Sequence, residues 1–221
     1  MAQVLVISYS FTGQTGRIVE EVSRALEKGG HTVTRAPIRL VRPYPFPAPP
    51  SMLVQLLQQN LRGQWPVEPL EPFDADLSQP YDLVIMGYQP WYMTPSVPVH
   101  SFLKSDAARV LKGKPVVGLV SCRAEYRRAC GLFQKGVEAV GGQVVEQRVW
   151  VDQDPRPTNF FSLVHMLKNG NDPEGGPLKR LLKPFGVGTA GLARAQSYGE
   201  ALATRLKLGP LSRDGQIVLM R

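Results

Sequence analysis

The chain has 221 residues, a formal net charge of +8 and a pI near 9.7, long enough for one sizeable α/β core and short for two ordinary domains. An apolar share of 43% excludes disorder of the whole, and two cysteines, Cys122 and Cys130, are too few for a disulfide framework. The Lys and Arg residues are scattered, so no nucleic-acid role is expected, and His31, His100 and His165 lie far apart and match no metal motif. In chain order, the start, MAQVLVISYS, lacks a basic flank before a long apolar run and does not read as a signal peptide. Residues 3–8, QVLVIS, form an apolar run buried on both faces, as in a central parallel strand. Residues 9–16 are small and polar, and residues 17–28 carry Ile18, Val22, Ala25 and Leu26 at helical spacing. Gly29 and Gly30 stop that helix, and residues 31–38 give a second strand, which completes a βαβ unit.

Residues 82–88, 115–121 and 143–151 supply three more strands. The helices between and after them are 97–111, broken, then 124–140 and 189–207, with Thr189 as N-cap of the last. Five strands alternating with helices specify a doubly wound parallel sheet, whose ligands bind beyond the carboxyl ends of the strands. Two stretches interrupt the alternation. Residues 39–80 open with RPYPFPAPP, too rich in proline for regular structure, and continue with the apolar SMLVQLLQQNLR. Residues 152–188 contain NFFSLVHMLKN and then Gly- and Pro-rich turns. Both read as insertions into a single domain over 1–208, with 209–221 as a C-terminal tail whose alternating QIVLMR suits an added edge strand.

The chemistry is concentrated in Ser10, Phe11, Thr12, Gly13, Gln14 and Thr15, between the first strand and the first helix. A helix N-terminus offers unpaired N–H groups and partial positive charge. Three hydroxyls add donors without charge, and Gly13 lets the backbone approach a ligand. With no Lys in the loop and no GxxxxGK[ST] pattern, a terminal phosphate monoester is expected rather than ATP or GTP.

Ser-x-Thr-Gly-x-Thr after the first strand resembles the FMN phosphate loop of flavodoxins and flavodoxin-like NAD(P)H:quinone reductases. Gln14 stands where flavodoxins commonly have Asn. The resemblance implies a five-stranded sheet of order 2-1-3-4-5, with FMN as cofactor. It places Pro90, Trp91, Tyr92, Met93 and Thr94 in the first flavin-ring loop and Cys122, Arg123 and Tyr126, with residues 124–125, in the second. Trp91 or Tyr92 is expected to stack on or flank the ring, and Arg123 to set positive charge near it. Cys122 and Cys130 read as packing residues. The stretches MGYQPWYMTPSVPVHSFLKS and SCRAEYRRA also resemble a flavodoxin-like subgroup labelled dialkylresorcinol-condensing enzymes, which implies a link to aryl-lipid or polyketide assembly. Carbon–carbon condensation normally needs a nucleophilic Cys with catalytic His in a thiolase-like frame, and nothing in this sequence supplies that, so a flavin redox step is the more physical expectation.

The resulting expectation is an FMN-dependent oxidoreductase using NAD(P)H, with the flavin carrying the chemistry and a quinone or similar small molecule as acceptor. An electron carrier docking a redox protein, and a flavin-free module, are the alternatives; a pI near 9.7 runs against the acidic carrier type. A cytoplasmic chain is expected, with a peripheral membrane contact at residues 51–65 or a homodimer as further options. Gly186-Val187-Gly188-Thr189-Ala190-Gly191 formally matches GxGxxG but lacks a following βαβ unit, and reads as a turn opening the last helix.

Overall fold

The computed structural model describes residues 1–123, 126–151, 158–171, 186–209, 211 and 216–220. Its central sheet has six strands: β1 (Gln3–Ser8), β2 (Thr32–Pro37), β3 (Leu83–Tyr88), β4 (Pro115–Cys122), β5 (Gln143–Val151) and β6 (Gln216–Leu219). Their order is β2-β1-β3-β4-β5-β6 and every pairing is parallel. The first five follow the expected order, and the tail adds the sixth, with Gln216 opposite Glu146 and Leu219 opposite Val149.

Both faces are covered because residues of the central strands alternate between two apolar layers. Leu5 and Ile7 join one cluster with Phe102, Phe133 and Val137, while Val4 and Val6 join another with Ile18, Leu26 and Leu202. The first layer lies under α3 (Val97–Lys104) and α4 (Arg127–Ala139), the second under α1 (Gln14–Lys28) and α6 (Gly188–Leu208). The expected break in 97–111 falls at Ser105, which is extended, accepts no helical continuation and donates to Phe102 O at 2.8 Å. A 3₁₀ turn, Asp106–Leu111, follows. Residues 124–125, read as the start of α4, lie outside the described residues.

Two helix starts differ from expectation. Helix α1 begins at Gln14, so Gln14 and Thr15 belong to its first turn rather than to the loop; left-handed Gly13 (φ 79°) makes the turn into it. Thr189 is not the N-cap of α6. That position falls on Val187, without a side-chain cap, because the turn of residues 186–188 starts the helix one residue earlier. The GxGxxG stretch is this turn and helix start; what immediately precedes it lies outside the described residues.

Both insertions contribute a helix, α2 (Pro50–Leu61) and α5 (Thr158–Asn169). The first insertion leaves from β2 and closes at its base, where Leu40 bridges Leu70 and Val41 N–H donates to Pro69 O at 3.0 Å. The two insertions meet: Ala48 N–H donates to Leu167 O at 2.7 Å. Ala48, Met52, Leu56 and Val97 form a small third cluster with Phe11, Tyr44, Trp91 and Leu167 packed on it. This cap therefore lies over the carboxyl edge of the sheet, where the strand-to-helix loops emerge.

Candidate functional site

At the carboxyl edge, α1 is drawn tightly onto β3. A Cβ on Gly87 would meet Val19 Cγ2 at 2.3 Å and Thr15 Cγ2 at 3.3 Å, so only glycine allows the first turn of α1 to sit here. Thr15 is consequently almost wholly buried, and Ser10 and Thr12 are half-buried. Ser10 Oγ accepts from Gly16 N–H at 3.0 Å and satisfies one orphan donor of the helix. Thr15 Oγ1 accepts from the Gln89 amide at 3.0 Å. Both hydroxyls accept from the protein, and each keeps its proton for donation to a ligand.

Gln89 is a site residue absent from the sequence reading. Its amide nitrogen donates to Tyr9 O at 2.7 Å and to Thr15, while its oxygen accepts from Phe11 N–H at 3.2 Å. It thus clasps the loop after β1 to the loop after β3. The only local signal for it is a polar residue directly following an apolar strand.

The loop after β3 is a tight hairpin, Pro90–Trp91 paired with Thr94–Pro95, turned at Tyr92 with φ 56°. That turn sends the neighbouring rings different ways. Trp91 packs edge-on against Phe11 at 5.5 Å, Tyr9 at 6.0 Å and Tyr44 at 5.0 Å, and Phe11 meets Phe46 at 5.2 Å. Tyr92 turns to α2 and donates to Leu53 O at 2.6 Å, with Met93 exposed beside it. Thr94 is buried, donates to Trp91 O at 3.1 Å and accepts from Asn60 at 3.0 Å, so it pins the hairpin to α2. Burial, with Glu68 beside it, raises the Tyr44 phenol to about 12, and burial likewise raises Tyr9. Both phenols are neutral at ordinary pH and serve as wall and donor rather than as charge.

The hairpin also touches β4 and α4, which brings the third loop to the same edge. Cys122, Arg123 and Tyr126 are half-buried there. Cys122 is in no disulfide among the described residues. Cys130 is fully buried on α4, accepts from Tyr88 OH at 3.6 Å, and has its thiol pKa raised by burial, which fits a packing role.

Phosphate geometry is well served. The first turn of α1 holds no acidic residue, Gly13 faces open space with nothing within 4 Å of a Cβ placed on it, and the hydroxyls of Ser10 and Thr15 are pre-oriented by their acceptor bonds. A second opening lies between α2 and the hairpin, lined by Leu56, Gln59, Trp65, Trp91, Pro95 and Val97 among others. Gln59 Oε1 and Trp65 Nε1, one acceptor and one donor, are buried there without a hydrogen-bond partner. Among the described residues no cluster of His, Cys, Asp and Glu is suited to a metal.

No protein-family model matches the chain, and no curated protein sequence matches it. Solved structures do. A flavoprotein in complex with FMN from Lactobacillus acidophilus NCFM superposes with a TM-score of 0.55 at 15% identity, covering 67% of this chain and 93% of that one. A flavodoxin from the domain Archaea superposes with a TM-score of 0.51 at 12% identity, covering 93% and 99%. With the strand order and parallel pairing above, these likenesses establish that the chain has the flavodoxin-like fold.

Proposed function

We propose that the protein binds FMN and is an NAD(P)H-dependent oxidoreductase that passes reducing equivalents to a quinone or another apolar, aromatic acceptor. The observation that carries the cofactor is the acid-free first turn of α1 under Gly13, with the Ser10 and Thr15 hydroxyls each holding a proton to donate. Ser10, Thr12 and Thr15 with the loop N–H groups hold the phosphate. Phe11, Trp91 and the loop around Cys122, Arg123 and Tyr126 flank the ring, and Arg123 favours negative charge there. When bound, FMN supplies hydride and electron transfer.

The chain's own residues position and shield. Gln89 holds two of the loops in one register. Tyr9 and Tyr44 exclude water from the side of Trp91, and Phe46 does so for Phe11. In the adjoining cleft, the space beside Trp65 Nε1 and Gln59 Oε1 is that of about one water, which accepts from the first and donates to the second, so the cleft is a wall of the site and not a seat for the acceptor.

The test is the absorption spectrum of the purified protein with FMN added, before and after anaerobic NADPH or NADH. Flavin bands that bleach with one nucleotide identify a reductase and its donor. Bands that persist until a separate reductase is added identify a carrier. Failure of FMN to bind wild-type protein, with Thr12→Ala and Thr15→Ala behaving identically, refutes the cofactor assignment.

A further inference from the structure

The cap leaves apolar surface in an ordered pattern. Helix α2 buries Met52, Leu56 and Asn60 on one side. On another, Val54, Leu57 and Leu61 follow one another at helical spacing and are 54%, 39% and 74% exposed. Helix α5 repeats the arrangement, with Ser162 and Met166 buried and Phe161 and Val164 exposed. The hairpin tip adds exposed Tyr92 and Met93, tied to α2 by the bond from Tyr92 to Leu53. Exposed apolar side chains in a helical stripe of this kind mark an interaction face.

Charge selects the partner. No Asp or Glu occurs in residues 28–67 or in residues 158–171. Arg39 is paired with Asp74. Arg42, Arg62 and Lys168 are exposed and join no ion pair among the described residues. A second copy meeting this face about a two-fold axis would set these same cations against themselves. A negatively charged lipid surface accepts both the apolar stripe and the cations. No helix among the described residues is long and apolar enough to cross a membrane, so such a contact lies in the interface.

We propose that the cap built from α2, α5 and the hairpin tip docks the protein on an anionic membrane surface, with Val54, Leu57 and Leu61 entering the headgroup boundary and Arg42, Arg62 and Lys168 meeting lipid phosphates. The inference stands on the cap alone and does not require the flavin.

It is tested by floating the full chain with vesicles of phosphatidylcholine, with and without phosphatidylglycerol. The wild type floats with the anionic vesicles and is released by high salt. The paired change Leu57→Glu and Leu61→Glu, at exposed positions that leave the circular dichroism unchanged, lowers the partition coefficient by at least about tenfold. Arg42→Gln with Arg62→Gln lowers it by roughly fivefold for each cation lost, on anionic vesicles only. Absence of wild-type partitioning overturns the proposal, as does equal partitioning of the Leu57/Leu61 variant. So does a wild-type dimer in sedimentation that this variant splits, which would make the face an interface between copies.

Discussion

At the residue scale, the strand-to-helix junction that carries Ser10, Thr12 and Thr15 was legible and its fastening was not. Ser10, Thr12, Gly13 and Thr15 stand at a strand-to-helix junction, and local spacing alone points to anion binding. Gln89 is 74 residues from Thr15, and nothing local says that its amide meets Tyr9, Phe11 and Thr15 together. The choice between Trp91 and Tyr92 was equally invisible, since it depends on the left-handed backbone of Tyr92 at the hairpin turn. Removing the clasp by Gln89→Ala leaves Phe11 N–H and Tyr9 O without their partner. We expect a loss of about 1–3 kcal/mol in stability and roughly tenfold weaker FMN binding from the loosened loop. Urea unfolding and a flavin fluorescence titration measure the two effects. Unchanged FMN affinity in the variant would show that the clasp does not position the loop.

At the element scale, strands and helices were legible from periodicity, while the polar bond between β5 and α6 was not. Periodicity reports which residues face a core, not a carboxylate in it. Glu146 is 2% exposed, yet it accepts from Tyr198 OH at 2.6 Å, from Arg148 at 2.5 Å and from Arg205 at 2.8 Å. Arg148 also lies over the Tyr198 ring at 4.9 Å. Burial alone would raise the Glu146 carboxyl, but the Tyr198 hydrogen bond and the two arginines outweigh it and hold the pKa below its ordinary value of 4.5. A carboxyl depressed in the fold stabilises it fully above the unfolded value, and that contribution is lost as pH falls through the lower folded value. Glu146→Gln strands Arg148 and costs about 3 kcal/mol near neutral pH, at the low end for a buried pair because Arg205 is 39% exposed and keeps its water. As pH falls from 4.5 through the lower folded value the wild type progressively loses this advantage, and the two stabilities converge below that folded value. Denaturant midpoints at the two pH values measure it; a gap that stays constant would mean that Glu146 is not the titrating group.

At the scale of the whole molecule, the insertions announced themselves by breaking the strand–helix alternation, but their mutual contact did not. The Tyr-Pro-Phe-Pro run read only as too rich in proline for regular structure; in the fold it carries Tyr44 and Phe46 into the aromatic group around Phe11 and Trp91. The first insertion enters and leaves through one point, the bridge between Leu40 and Leu70, and the sheet does not depend on what lies between. Replacing residues 42–68 by a short Gly/Ser turn should therefore preserve the parallel sheet while uncovering Phe11 and Trp91, which pack on Met52, Leu56 and Val97. Trp150 is 1% exposed in a different cluster, so it reports no change, and Trp65 leaves with the insertion, so the emission is compared with that of the full chain carrying Trp65→Phe. The expected outcome is native-like far-ultraviolet dichroism, retained FMN phosphate binding and a red-shifted tryptophan emission from Trp91. Any reductase activity then loses its preference for apolar acceptors, because the wall that excludes water beside Trp91 is gone. A truncated protein that fails to fold would instead make the cap part of the folding core, and emission that stays at the wavelength of the Trp65→Phe chain would mean that Trp91 is covered by the sheet-edge loops alone.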